Sequence, residues 1–217
     1  MILSALNRPD ALMPALIAYG VIVLLAFPLH EFAHAWMAVR LGDMTPYVQG
    51  RLTLDPRAHI DPFGALLLAV GGFGWARPVQ FNPVALRKAP SLKWGIVLVA
   101  LAGPLMNILI ASAAALVVRA GRGAFLAGNA DLAQILLLIV LINIYLAVFN
   151  MVPVVPLDGS KVLWGLMPNS WTPMYNQIQQ YSFYILLLLI IPFGGRSLLG
   201  LIMDPPVTAL SQLLLGF

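Results

Sequence analysis

The run ALMPALIAYGVIVLLAFPLHEFAHAWMAVRL, residues 11–41, is apolar over most of its length yet holds His30, Glu31 and His34, and Glu31 is the sole glutamate of the chain. A helix rising 1.5 Å per residue from Leu12 reaches His30 after ~27 Å, close to the far edge of a ~30 Å hydrocarbon layer. The ionisable cluster is therefore expected just inside one membrane face, on a retained span of about 12–41. Pro28, two residues earlier, is a candidate kink.

The cluster has the spacing H-E-x-x-H. Positions i and i+4 share one helix face, so His30 and His34 can offer ring nitrogens to a single zinc ion, with Glu31 beside the metal but free of it. A carboxylate so placed can take a proton from a water whose pKa the metal lowers from ~15.7 towards ~7, which makes Glu31 the candidate catalytic base. A chance match would have to gather such groups in hydrocarbon, where a central charge costs ~2.5–3.5 kcal/mol on translocon-type scales.

Composition agrees with that setting. Hydrophobic residues make up 61% and charged residues 9% of the 217, and the mean hydropathy is +0.92. Soluble domains carry about 25% charged residues, so the chain reads as an all-α polytopic membrane protein. The net charge of +4 is scattered over connecting segments with no basic run interleaved with aromatics. It points to topology rather than to a nucleic-acid partner. Cysteine is absent, so a transition metal must be held by nitrogen and oxygen.

Beyond the first span, Tyr47–Leu54 is β-prone and partly alternating, with Gly50 and Asp55-Pro56 as turn signals, and predicts a short strand or hairpin. Residues 63–74 are apolar but too few to cross comfortably, which predicts a re-entrant or interfacial element ending in the glycine cluster at 71–74. Spans follow at about 94–118 and 132–151, joined by a polar turn through Arg119, Arg122 and Asp131. A C-terminal span is expected at 178–193, with a second at 197–215 as the alternative. Arg51, Arg57, Arg77, Arg87, Lys88 and Lys93 place residues 42–93 on the cytoplasmic side and the N-terminus outside. The 94–118 span carries Gly103 and Asn107 on one face, where Asn107 reads as interhelical glue before substrate contact. After the 132–151 span, Pro153 and Pro156 forbid a regular helix and deliver Asp158 on a stiff segment.

A catalytic zinc commonly takes three protein ligands. With no second glutamate, the remaining candidates are Asp158, His59, Asp43, Asp55 and Asp61. Asp158 is favoured because it follows a span that returns to the membrane face of His34. His59, in a loop, reads as a structural hydrogen-bonding group, with the open zinc position and proton transfer as alternatives.

HEFAHAW at 30–36, AGPLMN at 102–107 and NMVPVVPLDG at 150–159 resemble, in that order, the site-2 protease family of zinc intramembrane metalloproteases. The resemblance runs from Pro28 to about Val162. It implies a three-span zinc protease core within a single domain, with His30, His34 and Asp158 as ligands of one zinc and Glu31 as general base and acid. It further implies that Asn150 contacts substrate or the developing oxyanion, with Asn107 the weaker candidate. No segment is long enough for a PDZ or CBS module, which implies a minimal, prokaryotic plasma-membrane member acting on transmembrane protein substrates near the cytoplasmic face. A zinc transporter or non-catalytic scaffold is the alternative. A transporter would need ionisable groups continuing across the bilayer, and a scaffold would be expected to lose Glu31.

Overall fold

In the computed structural model, residues 2–6, 9–121 and 128–216 are described, and Arg122 of the expected polar turn lies outside them. Helix α1 (Pro9–Val21) runs through a π-helical stretch, Ile22–Ala26, into α2 (Phe27–Arg40). In that stretch the Phe27 N–H reaches back to the Ile22 carbonyl, a widened turn just ahead of Pro28. Pro28 lacks an N–H and crowds the preceding turn, so the wider turn accommodates it without ending the helix. The expected kink is thus a π stretch within one continuous candidate span, Ala11–Arg40.

Residues 41–91 hold no membrane-length helix among those described. The strand expected at Tyr47–Leu54 is not formed: Thr45–Val48 is a single helical turn, followed by turns and bends. Local chemistry wins over the alternating pattern. Pro46 favours the first turn of a helix, and Asp43 accepts from the Thr45 N–H at 2.9 Å and its hydroxyl at 2.6 Å. Gly50, at φ 68°, then turns the chain, and the buried Arg51 guanidinium donates to the carbonyls of Ala58 and Arg77. The β contact of this region is one bridge, Ile60 to Ala76.

The short element expected at 63–74 is present as α3 (Pro62–Gly71), whose N-terminus is capped by Asp61 accepting from Gly64 N at 2.7 Å. Its ten residues extend only about 15 Å. It ends at Gly72, with φ 77°, and hands on to a non-helical segment, 73–82. Gly64 and Gly74 bring these two backbones together so closely that a Cβ on either would strike the other segment.

Helices α4 (Leu92–Gly121) and α5 (Ala130–Asn150) are the two middle candidate spans. Lipid supplies little hydrophobic drive between helices, so their association rests on close packing. Ala111, Ala114, Ala115 and Val118 of α4 meet Val140 and Ile144 of α5 in one buried cluster, which Leu215 of the last helix completes. Past the proline segment comes α6 (Asp158–Leu166), whose Val162 packs on Val97 and Ala100 of α4.

The C-terminal expectation needs correction. Residues 178–193 do not form one span: α7 (Thr172–Gln179) and α8 (Ser182–Ile190) have eight and nine residues. They are followed by a two-residue hairpin, β1 (Pro192–Phe193) with β2 (Arg196–Ser197). The membrane-length helix of this region is α9 (Leu198–Leu215), so of the two stretches only 197–215, expected as a possible additional span, holds one. The break at Gln180–Tyr181 and the hairpin from Pro192 bound the apolar run at nine helical residues. The protein is therefore an all-α polytopic membrane protein with four membrane-length helices among the described residues.

Candidate metal centre

His30 and His34, one turn apart on α2, face Asp158 at the start of α6. The Asp158 Oδ2 lies 3.1 Å from the Nε2 of each histidine, and the two Nε2 atoms are 3.0 Å apart. All three residues are buried.

Hydrogen bonds on the far side of each ring decide what those nitrogens present. His34 Nδ1 is 2.7 Å from the Val99 carbonyl, an acceptor, so Nδ1 carries the proton and Nε2 a lone pair. His30 Nδ1 is 2.6 Å from Asn107 Oδ1, with the same result. Two lone-pair nitrogens and a carboxylate oxygen thus converge within 3.1 Å. With both rings neutral this is repulsive unless a cation lies between them. Tetrahedral zinc ligands at ~2.0–2.1 Å would be spaced about 3.3 Å apart, close to the observed triangle. Gly103 of α4 forms the wall beneath it, where any Cβ would collide with the Nε2 atoms of both rings.

Glu31 is buried next to this triangle in sequence but is not part of it; its Oε2 accepts from the Val79 N–H at 2.9 Å. Among the described residues the converging set is His30, His34 and Asp158. The other candidates are engaged elsewhere. Asp43 binds Thr45 and the Asn82 N–H, Asp55 caps the turn at Arg57, and Asp61 caps α3. His59 is fully buried under the loop, where its Nε2–H donates to the Thr53 carbonyl at 2.8 Å. Burial, aided by the nearby Arg51 cation, pushes its pKa down and keeps the ring neutral.

A cavity of about 460 Å³ opens onto His30, Glu31, His34 and Asp158, and Phe73, Phe149 and Phe183 are among its apolar walls. A model of peptidase family M50 matches residues 123–193, the stretch that carries Asn150 and Asp158. The Bacillus subtilis (strain 168) protein named "Putative zinc metalloprotease YwhC" is 37% identical over 198 residues, covering 89% of this chain and 88% of that protein. The chain belongs to peptidase family M50. The resemblance to site-2 proteases is thereby borne out, and the protein is a zinc metalloprotease by family. Rip2 proteins carrying the same designation are also similar: that of Mycobacterium tuberculosis (strain ATCC 25618 / H37Rv) is 29% identical over 76% of this chain, which spans 63% of the Rip2 length. The Mycolicibacterium smegmatis (strain ATCC 700084 / mc(2)155) Rip2 is 27% identical over 77% of the chain and 64% of its own length. No solved structure matches the chain.

In this M50 peptidase Asn150 lines the cavity, one amide hydrogen donated to the Leu146 carbonyl at 2.9 Å. Asn107 does not line it; its oxygen meets His30 and its nitrogen donates to Asn143 Oδ1 at 2.8 Å. Two residues of the site were missed in the sequence. Asn143 is fully buried, and its signal was a lone amide inside a uniformly apolar run. Lys161, on the cavity rim, holds Asp158 Oδ1 at 3.1 Å, the oxygen opposite the histidines. Its signal was the i,i+3 spacing after Asp158 on a short helix.

Proposed function

We propose that this protein is a zinc-dependent intramembrane endopeptidase, with His30, His34 and Asp158 holding the zinc and Glu31 acting as general base and then acid. The observation that carries this reading is the convergence of two lone-pair imidazole nitrogens and a carboxylate oxygen on one point of an apolar cavity that also contains Glu31. When bound, zinc would polarise the scissile carbonyl and acidify the attacking water. Glu31 takes that water's proton and returns it to the leaving amine, which needs a carboxylate within reach of the ion but not ligating it. Asn150 has an amide hydrogen and its oxygen left for substrate.

A peptide bond in a transmembrane helix is shielded by its own hydrogen-bond ladder, so the substrate must be unwound locally. Ala76, Pro78, Val79 and Phe81 of the 73–82 segment form one cavity wall, and Ala76 already makes a β bridge. An unwound substrate added alongside this wall would exchange helix bonds for interstrand ones. The cleavage site lies near the cytoplasmic face of a prokaryotic plasma membrane, and the chain acts as one catalytic domain. The test is Glu31→Gln, assayed on a model transmembrane substrate. Zinc should stay near stoichiometric while cleavage falls by about 10²-fold or more; full activity would overturn the assignment.

A further inference from the structure

Asn107 and Asn143 are both fully buried within two candidate membrane spans, and they form a chain of hydrogen bonds that ends on His30. Its direction is fixed from the far end. The Ile139 carbonyl can only accept, so the Asn143 amide group 2.8 Å away presents its Nδ2 there. That leaves Asn143 Oδ1 facing Asn107, at 2.8 Å from Asn107 Nδ2. Asn107 Oδ1 must then face His30, at 2.6 Å from Nδ1. An acceptor at Nδ1 places the ring proton there and turns the lone pair of Nε2 towards His34 and Asp158. A backbone carbonyl on α5 therefore sets, through two amides, which nitrogen of His30 is free.

We propose that Asn143 is a positioning residue for the metal centre, acting through Asn107 to lock the tautomer and ring angle of His30. The inference rests on His30 being a zinc ligand. Without Asn143, the Asn107 amide is free to rotate and offer its NH₂ to Nδ1, which favours the opposite tautomer and withdraws the Nε2 lone pair. As helix glue alone, the same bonds would contribute only modestly to stability.

The test is zinc affinity of the full-length protein in detergent, by competition with a chelating dye, together with the absorption spectrum of the cobalt-loaded protein and the melting of the metal-free protein. Asn143→Leu and Asn107→Leu should each weaken zinc by about 10- to 100-fold. The double variant should be no more than about threefold worse than Asn107→Leu alone, because one residue acts through the other. Asn107→Asp keeps an acceptor on Nδ1 and should recover most of the affinity. If Asn143→Leu does not fold, Asn143→Ser is read in its place, since serine can bond the Ile139 carbonyl but cannot reach Asn107. Parental zinc affinity and cobalt spectrum in the Asn143 variant, or additive losses in the double variant, would overturn the proposal. Zinc retained by His30→Ala would instead overturn the ligand assignment on which it rests.

Discussion

At the residue scale, the third-ligand question sets Asp158, which the sequence favours, against His59. Asp158 points one oxygen at both histidines and the other at Lys161, whereas His59 spends its donor on Thr53 and does not line the cavity. A carboxylate also leaves the centre with less net positive charge than a third imidazole would, which reduces the cost of holding the ion in an apolar setting. Asp158→Ala should therefore lose zinc and proteolysis together. His59→Ala should keep zinc and alter activity only through the loop, as metal analysis of the two purified variants would show. Loss of zinc from the His59 variant alone would reverse the roles. His30, Glu31 and His34 were legible because helical periodicity forces i and i+4 onto one face. Asp158 was legible because a returning span limits where a ligand can come from. Asn143 was not, because one amide in an apolar run has no partner spacing to reveal what it touches.

At the element scale, the strand predicted at Tyr47–Leu54 and the span predicted at 178–193 failed for related reasons. In both places a residue pattern outweighed a local interruption: Asp43 accepting from Thr45, with Gly50 closing a helical turn and not a hairpin, in the first case, and the break at Gln180–Tyr181 in the second. The short element at 63–74 was legible as one that does not cross, since about a dozen apolar residues are too few and glycines end them. What the pattern could not show is that α3 and the 73–82 segment are clamped backbone to backbone at Gly64 and Gly74. That clamp positions Val79, whose N–H holds Glu31. Gly74→Ala should displace the segment, costing about tenfold or more in cleavage if Glu31 loses its place, with zinc content unchanged. Equal loss of zinc and activity would show that the clamp supports the metal centre as well.

At the scale of the whole molecule, the four membrane-length helices among the described residues set which connections share a side, and the positive charge of residues 42–93 predicts that this side is cytoplasmic. Residues 42–93 and the segment from 151 to 197 should share the cytoplasmic side, while the N-terminus, the 119–131 connection and the C-terminal end of α9 should lie outside. Because the chain has no cysteine, single cysteines can be introduced at Lys88 and Asn129 and probed with an impermeant thiol reagent in intact cells. Position 129 should label and position 88 should not; the opposite pattern would move the cavity to the outer face.

The π stretch at Ile22–Ala26 ties the outer half of the first helix to its inner half by angular phase. Such a turn amounts to one residue inserted into a regular helix, and each residue of an α-helix advances the side chains by about 100°. Removing one residue there would restore an unbroken α-helix only by rotating His30, Glu31 and His34 about 100° away from Gly103 and Asp158, or by turning the lipid-facing side of Ala11–Val21 inward. Chain length in this stretch should therefore matter more than its side chains. Single alanine replacements across Ile22–Leu25 should keep zinc, whereas deletion of any one of these residues should abolish its binding, with retained metal in the deletion variants counting against a fixed phase.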